Sequence, residues 1–333
     1  MKALVVGGGS IGARHFNNLK ALGIGSLEMV EPDAQRRFAA YKNGLDSGFA
    51  SLAEGLEWNP DIVVIATPSH LHIEQALLAA RKGCHLFIEK PLSHNHQGLD
   101  ELLNEISQSG ATTLVGCNMR FHPGPAKVKE LLERESIGRV LFARIYTGSY
   151  LPGWRTTQDY RLSYSATKEM GGGCLLDCIH EIDLARWYLG DIKDVFCLAD
   201  HLSSLEMNVE DVAALICRHT DRAFSEIHLD YVQRTYERGC QIVGENGSIF
   251  WNYNDCTVRW FDAKCGCWTT FPQAVGWQTN QMYMDELQHF LECVNRRRQT
   301  VFPVEEANEV MRIALAAKAS AESGCVVSTR KLS

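Results

Sequence analysis

Three glycines near the start of the chain have the spacing of a phosphate-binding turn. Gly7, Gly9 and Gly12 fit the pattern G-x-G-x-x-G, which here lies between an apolar run and a helical pattern. Gly7 permits a tight turn, Gly9 lets the backbone approach a pyrophosphate, and Gly12 lets the helix pack close to the strand. The N–H groups at the helix start, near Ser10 and Ile11, attract an anion. Glycine-rich turns without a ligand are common, but the strand before and the helix after this turn favour a dinucleotide site.

An acidic residue ends the second apolar run. Glu31 lies nineteen positions after Gly12, where a carboxylate accepts hydrogen bonds from the adenosine ribose and repels a 2′-phosphate. The alternative role of Glu31 is to cap the next helix. Arg36 and Arg37 are a counter-signal, because either could reach a phosphate. The pattern predicts NAD as the cofactor, with NADP less favoured.

Polar residues follow two further strands at what should be the same edge of a sheet. Thr67 and Pro68 follow the apolar run 61–66, and His72 begins the next helix, where it could face the nicotinamide. Lys90 follows the run 85–89, and a lysine there can hold a substrate hydroxyl and move a proton. A histidine without a ligand and a surface lysine before a turn are the alternatives, and the second is the better interpretation of the tripeptide 89–91 alone.

A second group of polar residues follows the glycine run 171–173. Asp177, His180 and Glu181 have the spacing i, i+3, i+4, which places them on one face of a helix predicted over 174–189. His180 is the natural acid or base near neutral pH, and Asp177 could position it or bind the substrate. A buried structural histidine and an acidic helix surface are the alternatives.

The elements that must position these residues divide into two regions. Residues 1–120 alternate short apolar runs with helical patterns, including one over 33–41, and predict a doubly wound parallel sheet, the Rossmann fold. Residues 121–333 predict an α+β domain with a large, mostly antiparallel open sheet, because strand-like runs follow one another from 195 to 260. Helices are expected near 281–295 and 304–320, and the last, about 304–322, is expected to pack back on the first domain.

Composition excludes several classes of protein. The 333 residues carry a net charge of -7, which argues against nucleic acid or an acidic membrane as a partner. No apolar run is long enough to span a membrane. The 12 cysteines show no metal-binding spacing, so we expect no metal and buried, unpaired thiols in a reducing cytoplasm.

Five strings, in this order, resemble those of the Gfo/Idh/MocA oxidoreductases, a family named for glucose–fructose oxidoreductase and inositol dehydrogenase. The strings are GGGSIGARH at 7–15, ATPSHLH at 66–72, EKPL at 89–92, NMRF at 118–121 and GGGCLLDCIHEID at 171–183. The resemblance covers nearly the whole chain, and the EKP string together with the GGG…D…H string is specific.

The resemblance implies roles for individual residues. Lys90 matches the family's catalytic lysine, and Asp177 and His180 match its aspartate and histidine. Asn118 matches an active-site asparagine near nicotinamide and substrate, and Glu89 joins the residues expected around the cofactor. The spacing of Asp177 and His180 is three, whereas many members have four, which leaves the orientation of the substrate open and Glu181 as a further polar contact.

A polar, aromatic loop follows the first helix and strand of the second region. Trp154 could stack on a sugar ring, and Arg155 or Arg161 could bind a carboxylate or phosphate through two hydrogen bonds. A packed loop with exposed arginines is an equally good interpretation.

Together these observations predict a cytoplasmic oxidoreductase. It would transfer a hydride between NAD and a secondary alcohol of a sugar, inositol, sugar acid or nucleotide-sugar. The alternatives are elimination or hydrolysis of a sugar assisted by a permanently bound NAD, and an NAD-binding sensor without enzymatic activity. The resemblance implies a homodimer or homotetramer formed through the open face of the sheet.

Overall fold

The computed structural model of the protein describes residues 1–37, 48–155 and 158–331. The chain forms two compact units, one of Met1–Asn118 with Thr279–Asn308 and one of Met119–Gln278 with Glu309–Ser333. The sequence analysis placed 121–333 in one domain, whereas the first unit of the structure also includes Thr279–Asn308. Part of the predicted helix 33–41 lies outside the described residues.

The elements up to residue 118 alternate between strand and helix. They are β1 (Lys2–Val6), α1 (Ser10–Ala21), β2 (Ser26–Val30), α2 (Leu52–Glu57), β3 (Ile62–Ile65), α3 (His72–Arg81), β4 (His85–Glu89), α4 (Leu99–Ser109) and β5 (Thr113–Gly116).

The later elements are richer in strands. They are α5 (Pro123–Glu133), β6 (Val140–Gly148), α6 (Cys174–Asp177), α7 (His180–Leu189), β7 (Ile192–Asp200), β8 (Val212–His219), β9 (Phe224–Asp230), β10 (Glu237–Gly244), β11 (Gly247–Asn252), β12 (Thr257–Asp262), β13 (Cys267–Pro272), α8 (Asn280–Arg296), α9 (Val304–Ser323) and β14 (Val327–Ser328).

The first unit contains a parallel sheet of five strands in the order β2-β1-β3-β4-β5. Strand β3, Ile-Val-Val-Ile, is buried along its whole length, as a strand covered on both faces requires. Strand β2 lies on one side of β1, and β3 lies on the other side, so the strand order reverses at β1. In such sheets the crevice at the carboxyl ends of the strands where the order reverses is where ligands bind. That crevice lies after Val6 and Ile65.

Helix α8 belongs to the core of this first unit. Its apolar residues Leu287, Phe290, Leu291 and Val294 share one cluster with side chains of β1, β3, β4 and α1. This packing explains why a segment so late in the sequence lies with the parallel sheet.

The second unit is built on a nine-stranded sheet in the order β13-β12-β11-β10-β6-β9-β8-β7-β14. All neighbouring strands are antiparallel except β6 and β9, which are parallel. Burial alternates along β8 and β9, so one face of the sheet carries the core and the other is exposed. The predicted fold class, a Rossmann domain with an α+β domain and a large, mostly antiparallel sheet, is confirmed.

Two expectations about local structure are wrong. The helix predicted over 174–189 is two helices, because Cys178 leaves the helical conformation with φ −91° and ψ 34°. The cysteines are not all unpaired: Cys265 and Cys267 form a disulfide, since the turn between β12 and β13 brings their Cα atoms to 5.4 Å. The ten other cysteines, all among the described residues, form no disulfide, and eight of them are buried.

None of the described helices is long and apolar enough to cross a membrane. In the same part of the chain, no three His, Cys, Asp or Glu side chains are arranged so that they could hold a metal ion.

Candidate active site

The glycine turn after β1 is built as its spacing predicts. Gly7 has φ +102°, and its N–H donates to the carbonyl of Val30 at 2.9 Å, so the turn begins beside the end of β2. A Cβ on Gly12 would lie 1.8 Å from the carbonyl oxygen of Gly7, so only glycine lets α1 come this close. Gly9 precedes α1, and a Cβ there would meet open space.

The start of α1 suits an anion. The helix begins at Ser10, which is exposed, and Ile11 is half-buried behind it. No described side chain accepts a hydrogen bond from the first turn, so its N–H groups and the positive end of the helix dipole face the open space beside Gly9. These residues fit the pyrophosphate of a dinucleotide.

Glu31 lies at the end of β2, and it is buried. Its Oε2 accepts the N–H of Gly8 at 2.7 Å, and its Oε1 accepts the N–H of Asp33 at 2.9 Å. The carboxylate therefore anchors the glycine turn and the start of the following helical turn. A negative charge held at this place suits ribose hydroxyls and repels a phosphate, which fits NAD.

His72 is buried at the start of α3. Its Nδ1 lies 2.9 Å from the carbonyl oxygen of Pro91, and its Nε2 lies 2.8 Å from that of Thr67. Burial lowers the pKa of His72. A neutral imidazole has one N–H, so His72 lies between the loop after β3 and the loop after β4 and donates to one of the two carbonyls, a contact that the sequence did not predict. The contacts of His72, Thr67 and Pro68 with the cofactor stay predictions. The hydroxyl of Thr67 donates to the side chain of Gln75.

Lys90 follows β4 at the same sheet edge, and it is half-buried. The residue before it, Glu89, is buried, and its Oε1 lies 2.6 Å from Nε2 of His15. The N–H of Lys90 donates to Oε2 of the same carboxylate at 3.2 Å. Asn118 follows β5, the next strand along, and is also buried. The structure thus brings Gly7–Gly12, Thr67, Lys90 and Asn118 to one edge of the parallel sheet.

Asp177 is held in the second unit by three hydroxyl groups. Tyr164 donates to its Oδ1 at 2.9 Å, while Ser165 and Tyr231 donate to its Oδ2 at 2.6 and 3.2 Å. Burial, with the nearby charge of Asp177, raises the pKa of Tyr231 well above its usual range, so this phenol stays a donor. Both buried oxygens of Asp177 therefore have hydrogen-bond partners. His180 begins the next helix and is buried.

The glycine run before α6 serves the chain's own packing. A Cβ on Gly172 would lie 2.4 Å from the carbonyl oxygen of Tyr164, and one on Gly173 would lie 2.2 Å from Oε1 of Glu210. The run therefore lets the loop with Tyr164 and Ser165 lie against the start of α6. That contact brings both hydroxyl groups to Asp177.

Glu181 and Asp183, the acidic residues of α7, do not form an exposed acidic helix surface. Glu181 is fully buried and pairs with Arg238, whose Nε lies 2.7 Å from Oε1. Asp183 is also buried and accepts two hydrogen bonds from Arg120, at 2.9 and 2.6 Å. Glu181 was left open as a further substrate contact, but its carboxylate is taken by Arg238. Neither arginine was predicted from the sequence to be a partner of these carboxylates. The only available signal for Arg120 was its place in the NMRF string.

The loop before α6 forms an open pocket. Its lining includes Trp154, Arg155 and Ser165, whose hydroxyl also reaches Asp177. The Trp154 ring meets the Tyr231 ring edge-on, with centroids 5.3 Å apart, and its Nε1 donates to Ser149. Trp154, the tryptophan predicted to stack on a sugar, therefore shares two neighbours with Asp177, the ring of Tyr231 and the pocket residue Ser165.

The two predicted anion-binding arginines differ in their partners. Arg161 forms ion pairs with Asp159 at 2.7 Å and with Glu206 at 3.2 Å, and these contacts raise its pKa. Arg155 is half-buried and lies over the ring of Tyr164, with 5.7 Å between the guanidinium carbon and the ring centroid. Among the described residues, no carboxylate forms an ion pair with Arg155. It is therefore the better candidate for an anionic group.

Comparison with known families identifies both regions of the chain. Residues 1–117 match the model described as an oxidoreductase family with an NAD-binding Rossmann fold. Residues 126–250 match the model of the GFO/IDH/MocA C-terminal domain. The order and extent of the two matches agree with the parallel and the mostly antiparallel sheet.

Individual relatives match over different lengths. The chain is 26% identical over 334 residues to a myo-inositol 2-dehydrogenase of Thermotoga maritima, covering 97% of this chain and 96% of that protein. It is 32% identical over 134 residues to a 2,7-anhydro-N-acetylneuraminate hydratase of Escherichia coli K12, covering 40% and 35%. A solved levoglucosan dehydrogenase in complex with NADH has the same fold, with a TM-score of 0.90, 21% identity and 99% of each chain covered.

The open space beside Gly9 gives a prediction about cofactor binding. Replacing Gly9→Ala should leave the fold intact, because the new methyl group meets no protein atom within 4 Å. It should weaken NAD binding by about tenfold or more, because the methyl group occupies the approach to the pyrophosphate. Fluorescence titration with NAD measures the effect. Gly25→Ala, which also meets open space, is the control; equal affinity in both variants would contradict the assignment.

Proposed function

Because the chain belongs to the GFO/IDH/MocA family of NAD-binding oxidoreductases, we propose that it transfers a hydride between NAD and a secondary alcohol of a carbohydrate. The substrate is a sugar, an inositol, a sugar acid or a nucleotide-sugar. One observation carries the proposal: Lys90 follows β4 at the edge of the sheet where the glycine turn of the first unit also lies. The names of the inositol and levoglucosan dehydrogenases among the relatives support the substrate class.

The residues of the chain divide the chemical work. The bound nicotinamide supplies a hydride acceptor or donor. In the oxidation direction, a base must take the proton of the substrate hydroxyl, and Lys90 and His180 are the two candidates for this role. Asp177, whose carboxyl group is held by three hydroxyl groups, is the candidate for orienting the substrate. Trp154 offers its ring to the sugar.

A steady-state screen tests this function. The purified protein is mixed with NAD or NADP and with inositols, aldoses, sugar acids and UDP-sugars, and the absorbance of reduced nicotinamide is followed. We expect reduction of NAD, in preference to NADP, with one class of sugar. Silence with every substrate, in protein that binds NAD, would contradict the proposal.

A second candidate keeps the same residues but consumes no NAD. The resemblance of one part of the chain to a hydratase favours it. Here a permanently bound NAD would oxidise the sugar transiently, so that elimination or hydrolysis proceeds at another carbon. Conversion of substrate without accumulation of NADH, followed by analysis of the products, distinguishes this reaction from net oxidation.

Lys90→Ala tests the catalytic role directly. We expect turnover to fall by about 100- to 10,000-fold, the range that a positioned acid or base contributes, while NAD binding is retained. Turnover is measured by NADH absorbance and binding by fluorescence titration. Lys82→Ala is the control, because Lys82 is an exposed lysine of the same unit that pairs with Glu57. Substantial activity in the Lys90 variant would refute the assignment.

The partners of the two arginines give a prediction about substrate charge. Arg155→Met should raise KM for a sugar acid or nucleotide-sugar by about tenfold, the value of one charge-assisted contact, and change KM for neutral polyols little. Arg161→Met should have a smaller effect, because that guanidinium is already paired with Asp159 and Glu206. The KM values of both variants are compared on charged and neutral substrates. A larger effect at Arg161 would reverse the assignment.

We also propose that the protein works as a homo-oligomer that pairs through the exposed face of the nine-stranded sheet. Apolar side chains line up across neighbouring strands of the sheet: Phe196 pairs with Ile216, and Phe142 pairs with Phe224. Leu198, Ile216 and Phe224 are exposed, and large apolar patches of this kind mark interaction sites. The ten cysteines outside the Cys265–Cys267 pair form no disulfide, which supports a reducing compartment, the cytoplasm, as the place of action.

Ile216→Glu tests the oligomer. A carboxylate in the middle of a paired apolar face would have to be desolvated, so we expect the variant to sediment as a monomer. Analytical ultracentrifugation of both proteins measures the mass. Leu202→Glu, at an exposed leucine outside the strands, is the control and should sediment like the native protein. A native protein that is itself monomeric would refute the proposal.

A further inference from the structure

A buried ion pair lies behind the loop that carries Lys90. His15, in the second turn of α1, is fully buried, and its Nε2 lies 2.6 Å from Oε1 of Glu89 at the end of β4. The imidazole meets the rings of Phe87 and Tyr283 edge-on, with centroids 4.9 and 6.2 Å away. All of these groups belong to the first unit.

The second oxygen of Glu89 fixes the backbone of the lysine. The N–H of Lys90 donates to Oε2 at 3.2 Å, so the glutamate side chain folds back onto the next residue. Gly116 leaves the room for this: a Cβ there would lie 3.1 Å from Oε2. One oxygen of the Glu89 carboxylate thus contacts His15, and the other accepts the backbone N–H of Lys90.

Other ionisable groups surround Glu89. Those that interact with it or with its neighbours are Arg14 and His15 of α1, His72 of α3, Lys90, and Tyr283 and Glu286 of α8. The guanidinium of Arg14 lies 4.4 Å from the centre of the Tyr283 ring, so its charge faces that ring.

Glu89 keeps its negative charge within this group. Burial alone would raise its pKa, but the hydrogen bond to His15 and the charges of His15 and Lys90 outweigh burial and lower it. Glu286 behaves in the opposite way, because burial and the charge of Glu89 raise its pKa well above the usual range. Burial also raises the pKa of Tyr283. The raised pKa values favour the neutral forms of Glu286 and Tyr283, and the lowered pKa favours the anionic form of Glu89.

We propose that Glu89, held by His15, is a positioning residue that fixes the backbone of Lys90 and sets the charge state of its amine. The inference rests on the proposed role of Lys90, whose amine interacts with Glu89 through their opposite charges. A carboxylate at this place favours the ammonium form, because it stabilises the positive charge more than the neutral amine. The charge state of the lysine thus depends on a buried carboxylate that contacts its backbone.

Glu89→Gln tests the electrostatic part. The amide keeps the shape of the carboxylate but removes its charge, so the amine of Lys90 should titrate about one pH unit lower. Carbon NMR of protein labelled at lysine Cε measures this titration without substrate, and the Lys90 signal is assigned by its loss in Lys90→Arg. In active protein, the limb of the kcat–pH profile that Lys90 controls should also move to lower pH, whether the amine or the ammonium is the reactive form.

Two further variants make the result decisive. Glu286→Gln is the control and should change the titration of Lys90 less than Glu89→Gln does, because Glu286 lies on α8 and its raised pKa favours the neutral carboxyl group. Glu89→Asp keeps the negative charge but withdraws it from Lys90 by one methylene group, so it should lower the titration of Lys90 by less than Glu89→Gln does. It also carries the test if Glu89→Gln does not fold. An unchanged titration in a folded Glu89 variant would overturn the inference. Absence of turnover in the native protein, with these shifts present, would overturn only the proposed function.

Discussion

The close approach of α1 to the end of β1 is the constraint on which the first unit depends. Gly12 lies so near the carbonyl of Gly7 that no side chain fits between them, and this contact sets the path of the whole helix. The helix start then faces the open space beside Gly9, while one turn after Gly12 the same helix brings His15 to Glu89. The backbone contact between Gly7 and Gly12 thus determines both where an anion can bind and how the segment before Lys90 is held.

The second unit depends instead on buried acidic residues that have hydroxyl or arginine partners. Asp177 is held by three hydroxyl groups, Glu181 by Arg238, and Asp183 by Arg120. An ion pair of this kind adds little net stability, because desolvation offsets the attraction, but removing one partner costs roughly 3–5 kcal/mol. The two ion pairs therefore specify where α7, which begins at His180, lies with respect to Arg120 and to β10, both far away in sequence.

The sequence predicted those features that local patterns determine. The runs that form β1 and β3 are recognisable because a strand buried on both faces must be apolar throughout, and the glycine spacing is recognisable because each glycine has its own steric task. The break at Cys178 was not predictable, since the helical pattern continues through it and tertiary contacts decide the outcome. Nor could Arg238 be assigned to Glu181, because 57 positions separate them and no local rule links two such residues.

Glu31 serves two purposes that cannot be separated. One of its oxygens accepts the N–H of Gly8 in the glycine turn, and the other accepts the N–H of Asp33 at the next helical turn. Its carboxylate also lies where the adenosine ribose of a dinucleotide binds in this fold. Cofactor preference and local folding are thus encoded in one side chain. An attempt to engineer acceptance of a phosphorylated cofactor by replacing this residue alone would release the turn that binds either cofactor. Evolution toward NADP in this scaffold requires a new anchor for Gly8 before the carboxylate can be given up.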